Sequence, residues 1–173
     1  AFLFATVAHF GDSYTEYWQR LKDNGVVVVD GWETAYYTNF SASSGHGAQP
    51  MVVSYGTSPA AEVIYAEQPS SEAPTASIIG PDTCFRQIEF AGILAGTRNR
   101  PLAEKFIDFM LDVPFQEDML LQMFVYPVNP NASLPDEFVR FAQIPSQPAE
   151  LFPDVIAANR EKWIEAWVEA VTR

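Results

Sequence analysis

Three short stretches of this chain carry residue types able to do chemistry. In Gly31-Trp32-Glu33-Thr34-Ala35-Tyr36-Tyr37 an indole and two phenols lie close together, and Trp32 follows an apolar run and a glycine. The backbone turns at such a place, and a large ring there can face a cleft. An indole face attracts cations through its quadrupole and stacks on flat heterocycles. The competing reading makes Trp32 core, with Tyr36 and Tyr37 as amphipathic filler, and position alone does not separate the two. In Ser54-Tyr55-Gly56-Thr57-Ser58-Pro59, hydroxyls sit beside an expected helix start with Ser58 as N-cap. The free N–H groups of such a start suit an anion such as a phosphate, although a capped helix after a strand is a common feature of α/β proteins. Phe124-Val125-Tyr126-Pro127 follows a helical stretch and precedes a turn, where aromatics either close a pocket or cover a core.

Bond-making constellations are weak. His9 and His46 are far apart and neither sits in a motif, and Cys84 paired with His46 has no nucleophile signature around it. There is no Gly-rich phosphate loop, no metal-spaced cluster and no paired-carboxylate motif. Asn39-Phe40-Ser41 and Asn131-Ala132-Ser133 match the glycosylation sequon, a pattern short enough to recur by chance. With a single cysteine, no intrachain disulfide and no cysteine-based metal site can form. The residues point to binding and away from catalysis.

The elements that must position these residues belong to a globular chain of 173 residues, 48% hydrophobic and 18% charged. Aromatics reach 14%, many beside Gly, Ser and Pro. Ten Lys and Arg against 22 Asp and Glu leave a formal net charge of −12. That surface repels phosphate backbones, which argues against nucleic acid; it would favour a cationic ligand, and it is also what a merely soluble surface carries. No stretch is long and apolar enough to span a bilayer, and no signal peptide is visible. The opening run Ala1-Phe2-Leu3-Phe4-Ala5-Thr6-Val7-Ala8 reads as the end of a buried helix, so the chain is expected to be cut from a longer one.

Helix and strand signals alternate along the chain. Ser13 with Glu16 forms a capping-box pattern, Trp18 and Leu21 share one face, and Asn24-Gly25 is a stop. Val26 to Val29 and Met51 to Tyr55 read as strands buried on both faces, with a short helix from Trp32 to Tyr37 and a small polar loop over residues 41–50. A helix is expected from Pro59 to about Glu67, a loop from Gln68 to Pro81, and extended chain from Cys84 to Leu94. Pro101 and Pro114 open further helices, the second ending near Met123, and residues 129–135 are turn-rich. The last helix, from Asp154, places Ile156, Trp163, Trp167 and Val171 at helical spacing. Alternation of this kind predicts an α/β fold, in which ligands collect at the C-terminal ends of strands. Those ends are Asp30-Gly31-Trp32 and Ser54 to Pro59.

Taken in order, these segments resemble the thiamine-binding periplasmic proteins, within the type II solute-binding proteins of ABC importers. The resemblance rests on Gly31-Trp32-Glu33-Thr34-Ala35-Tyr36, on Val53-Ser54-Tyr55-Gly56-Thr57-Ser58-Pro59-Ala60 and on Phe85-Arg86-Gln87-Ile88-Glu89-Phe90-Ala91-Gly92. It continues through Ala103-Glu104-Lys105-Phe106-Ile107-Asp108-Phe109-Met110, Tyr126-Pro127-Val128-Asn129, Trp163-Ile164-Glu165-Ala166-Trp167 and Ala170-Val171-Thr172-Arg173. It implies a partial type II fold. Residues 1–82 would be a second-lobe α/β segment, 83–95 a strand crossing between lobes, and 96–173 a C-terminal helical segment. It also implies a periplasmic or extracytoplasmic monomer, with lipid anchoring open, that passes thiamine or a thiamine phosphate to ABC permease subunits. Trp32, Tyr36, Tyr55, Ser58 and Phe124 are the expected ligand contacts, with no metal, no catalytic residue and no resident cofactor. Trp32 and Tyr55 fall where the family uses aromatics, Phe124 where some members have Trp, and Ala61 where some have Tyr. The alternatives are a ferric-ion-binding protein of the same superfamily using Tyr36 and Tyr37, an enzyme on a thiamine-like heterocycle with Cys84 as nucleophile, and a structural α/β domain.

Overall fold

The computed structural model describes residues 1–68 and 70–172, with the backbone alone at Ser44. Pro69, in the expected loop from Gln68 to Pro81, and Arg173, at the end of the last resembling segment, lie outside the described residues. The chain forms two compact units. The first comprises Ala1–Gly56, Ile78–Gln87 and Ile144–Arg173, and the second Thr57–Ser77 and Ile88–Gln143.

The first unit is built on three helices: α1 (Phe2–Phe10), α2 (Tyr14–Asp23) and α9 (Pro153–Thr172). Trp18 is the centre of their core. Its ring meets Phe2 and Trp167 edge-on at 5.6 and 5.5 Å, and Leu21 packs on the same cluster. The indole N–H of Trp18 donates to Thr6 Oγ1 at 3.0 Å, which satisfies a buried donor inside an apolar contact. The helix starts where the capping-box pattern places it, with Ser13 as the N-cap of α2, but the serine's capping bond does not form. A tight turn over Gly11–Ser13 runs straight into α2 and holds Ser13 at φ −86°, ψ 6°, not in the extended region from which an N-cap hydroxyl reaches back. The stop at Asn24-Gly25 forms as expected. Gly25 has φ +83°, its N–H donates to Lys22 O, and the Val26 N–H donates to Leu21 O, the paired bonds of a left-handed helix end.

The two runs expected as buried strands form no paired strand among the described residues and are largely unburied. Val26, Val27 and Val28 are 37 to 45% exposed. Met51, Val53 and Tyr55 are also exposed, while Val52 and Ser54 between them are half-buried, so strand alternation persists. Among the described residues the only bridges are isolated ones, Phe40 with Gln49 and Phe85 with Ala149. The extended stretch from Cys84 is likewise open beyond Phe85, with Phe90 at 89% exposure. The reason is physical. A strand buried on both faces needs neighbours along its edges and layers above and below, and the described residues supply neither.

The second unit holds α5 (Ser58–Ile64), α6 (Arg100–Leu111), α7 (Val113–Met123) and α8 (Asp136–Phe141). Its core is Ala60, Leu120, Phe138 and Ala142. Ser58 was expected as an N-cap; the cap is instead Thr57, with Ser58 first in the helix and Pro59 still in the first turn, where its missing N–H has no intrahelical acceptor to lose. Helix α8 lies outside the expected elements, although Asp136 and Glu137 in its first turn are an ordinary start signal. Gln116, 3% exposed, ties the unit together: its amide donates to Met110 O at 2.7 Å and its oxygen accepts from the Val128 N–H at 2.7 Å. Tyr126 donates to Ala142 O, and burial pushes its hydroxyl pKa up, keeping it a neutral donor. Among the described residues no helix is long and apolar enough to cross a membrane.

Candidate functional site

Trp32 opens a short helix, α3 (Trp32–Thr34), directly after the extended run through Val29. The helix widens into a π turn over Ala35–Asn39, closed by the Phe40 N–H on Ala35 O at 3.0 Å. Positions four apart share a face in such a turn. The rings of Trp32 and Tyr36 accordingly stack, with centroids 4.8 Å apart and planes at 22°. Tyr37 meets the indole edge-on at 5.4 Å, and Tyr55, from the extended segment, lies tilted at 6.1 Å. The indole N–H of Trp32 donates to Ser54 Oγ at 3.0 Å. Tyr36 is buried at 5% exposure, whereas Trp32, Tyr37 and Tyr55 are 38, 58 and 59% exposed.

The residues behind the cluster hold it in place. Tyr36 backs onto Phe40 at 5.6 Å, and Ser43 Oγ donates to Tyr36 O at 2.5 Å. The loop over residues 41–50, expected to be small and polar, includes the helical turn α4 (Ser41–Ser44) and returns to bond Asn39 and Ser41 through Gln49. Gly47 permits that return: a Cβ there would stand 2.3 Å from Asn39 O. The result is an electron-rich indole face, supported from below by Tyr36 and flanked by two phenols. Asp30 and Glu33, both exposed, adjoin Trp32 in sequence. Such a face can stack a flat heterocycle and attract a positive charge.

Of the five expected contacts, the structure brings Trp32, Tyr36 and Tyr55 together in the first unit. Ser58 and Phe124 belong to the second unit. Ser58 is half-buried in the first turn of α5. Phe124 caps α7 in a left-handed conformation at φ +53°, lies parallel to Phe138 at 6.3 Å and meets Tyr65 edge-on at 5.4 Å. Ser54 was not among the expected contacts, and its only sequence signal was a hydroxyl beside Tyr55 at the end of an apolar run. Elsewhere, Cys84 Sγ lies 3.8 Å from Ile78 O, and His9 Nδ1 is 3.4 Å from Asp82 Oδ2 on an exposed surface. Among the described residues no group of three or more His, Cys, Asp or Glu could hold a metal ion.

A solvent-open aromatic stack of this kind can take up a flat or positively charged small solute. Comparison with known proteins agrees: residues 5–146 match the bacterial extracellular solute-binding protein family, and the chain belongs to that family. The thiamine-binding periplasmic protein of Escherichia coli (strain K12) is 32% identical over 164 residues, which cover 95% of this chain and 47% of the relative. The thiamine-binding periplasmic protein of Brucella suis biovar 1 is 29% identical over 167 residues, 95% of this chain and 46% of its own length. A solved structure of a periplasmic thiamin binding protein superposes with a TM-score of 0.76 at 30% identity, over 99% of this chain and 50% of that one. The chain therefore spans about half the length of the relatives it matches. None of these names is that of an enzyme.

Proposed function

We propose that this chain contributes to the capture of thiamine, or a thiamine phosphate, by an extracytoplasmic solute-binding protein that delivers it to an ABC permease. The observation that carries this reading is the Trp32–Tyr36 stack, whose indole is open to solvent and flanked by Tyr37 and Tyr55. Thiamine joins a permanently positive thiazolium to a flat aminopyrimidine, and both parts suit an aromatic face in an acidic surround. The net charge of −12 adds a general attraction for that cation. The names of the similar proteins support the same ligand class. Thiamine is cargo here, with no bond made or broken and no resident cofactor.

At the full length of its relatives, the chain is proposed to act as a monomer with the α/β architecture of type II binding proteins. In that architecture residues 1–82 form second-lobe α/β structure, 83–95 cross between lobes, and 96–173 form the C-terminal helical segment. The extended runs from Val26 and Met51 would then be paired strands, which accounts for apolar side chains that are otherwise left in water.

The test is titration of a polypeptide carrying this chain at the length of its relatives with thiamine, thiamine monophosphate and ferric citrate, followed by tryptophan fluorescence and heat. Saturable quenching by a thiamine form is expected. Trp32→Ala should weaken it about two- to thirtyfold, the range of a cation–π contact. A coloured ferric complex without a thiamine response would replace this reading with the ferric one and direct mutagenesis to Tyr36 and Tyr37.

A further inference from the structure

We infer that Ser54 is a positioning residue of the aromatic site, setting the orientation of the Trp32 indole before ligand arrives; the inference rests on the function proposed above. The indole nitrogen is a donor only, so in the 3.0 Å contact Ser54 Oγ accepts. This bond links side chains 22 residues apart, and it joins the start of α3 to the end of the extended segment that also carries Tyr55. Without it, an indole 38% exposed could rotate about two side-chain torsions and leave the stack with Tyr36. Tyr36 is buried, so the ring against which the indole stacks is itself held in place. The hydrogen bond fixes the ring edge and the stack fixes its face, and the indole so held is still 38% exposed to solute. Tyr55, next to Ser54, is set against the same ring at 6.1 Å.

Freezing one side chain on binding weakens affinity by about two- to tenfold, and a ring already held avoids that loss. Ser54→Ala should therefore weaken thiamine binding by about that factor without lowering the melting temperature, and Ser54→Thr, which keeps the hydroxyl, should restore it. The direct readout is the Trp32 indole N–H resonance of this chain in ¹⁵N NMR, assigned by its loss in Trp32→Phe. The expected result is a proton protected from water exchange in the wild type and in Ser54→Thr, and rapidly exchanging in Ser54→Ala. A Trp32 resonance indifferent to Ser54→Ala overturns the inference, as does unchanged thiamine affinity in Ser54→Ala when the wild type binds. If the wild type binds no thiamine form, the functional reading fails by itself, and the indole resonance still decides whether Ser54 holds the ring.

Discussion

At the scale of single residues, two side chains show how differently polar groups are used in this protein. Trp32 spends its one donor on Ser54 and remains partly open to solvent, as a recognition surface must. Gln116 is buried and spends both ends of its amide on the backbone, at Met110 O and the Val128 N–H. Replacing Gln116 with Leu keeps a similar volume but takes the side-chain partner from two part-buried backbone groups, Met110 O and the Val128 N–H, each loss costing about 1 kcal/mol or more. Gln116→Leu should therefore lower the stability of the second unit by about 2 kcal/mol or more, measured by urea denaturation followed by circular dichroism. A change within about 0.5 kcal/mol, the range of ordinary surface substitutions, would show that water replaces the lost partners.

At the scale of elements, the contrast lies between helices that bury a face and extended runs that do not. Helices α2 and α9 close on a cluster that includes Trp18, Trp163 and Trp167. The runs 26–29 and 51–55 and the stretch beyond Phe85 form no paired strand among the described residues, and most of their apolar side chains are exposed. Amide hydrogens in those runs should exchange within seconds to minutes at neutral pH, while those in the middle of α2 and α9 should be slower by orders of magnitude. Slow exchange over Val27–Val29 in the isolated chain would show that these residues pair after all. Helix periodicity and stop signals were legible in the sequence here, down to the Asn24-Gly25 ending. The exposure of the valines was not, because a β-branched apolar run reports the need for burial and does not report who supplies it.

For the whole molecule, the two units carry separate cores, one around Trp18 and one around Leu120 and Phe138. All four tryptophans, Trp18, Trp32, Trp163 and Trp167, fall in the first unit. Tryptophan fluorescence therefore reports on that unit, and far-UV circular dichroism on both. Leu120 is fully buried, so Leu120→Ala should destabilise its unit by about 2–5 kcal/mol. Its expected signature is an earlier circular dichroism transition with the fluorescence transition unmoved. Equal shifts in both signals would mean that the units unfold as one.

The sequence by itself determined the longer helical segments, though not α4 or α8, the stop at Asn24-Gly25, the acidic composition and the aromatic character of the Trp32 and Tyr55 segments, because each is written in local pattern and composition. It also carried the family, through an ordered set of short segments. Only the tertiary structure decided that Trp32 stacks on Tyr36, that Ser54 holds the indole, that Gly47 lets the loop close behind them, and that Phe124 lies parallel to Phe138. Those contacts join residues distant in sequence or depend on ring orientation, and neither quantity is encoded in the spacing of residue types along a chain.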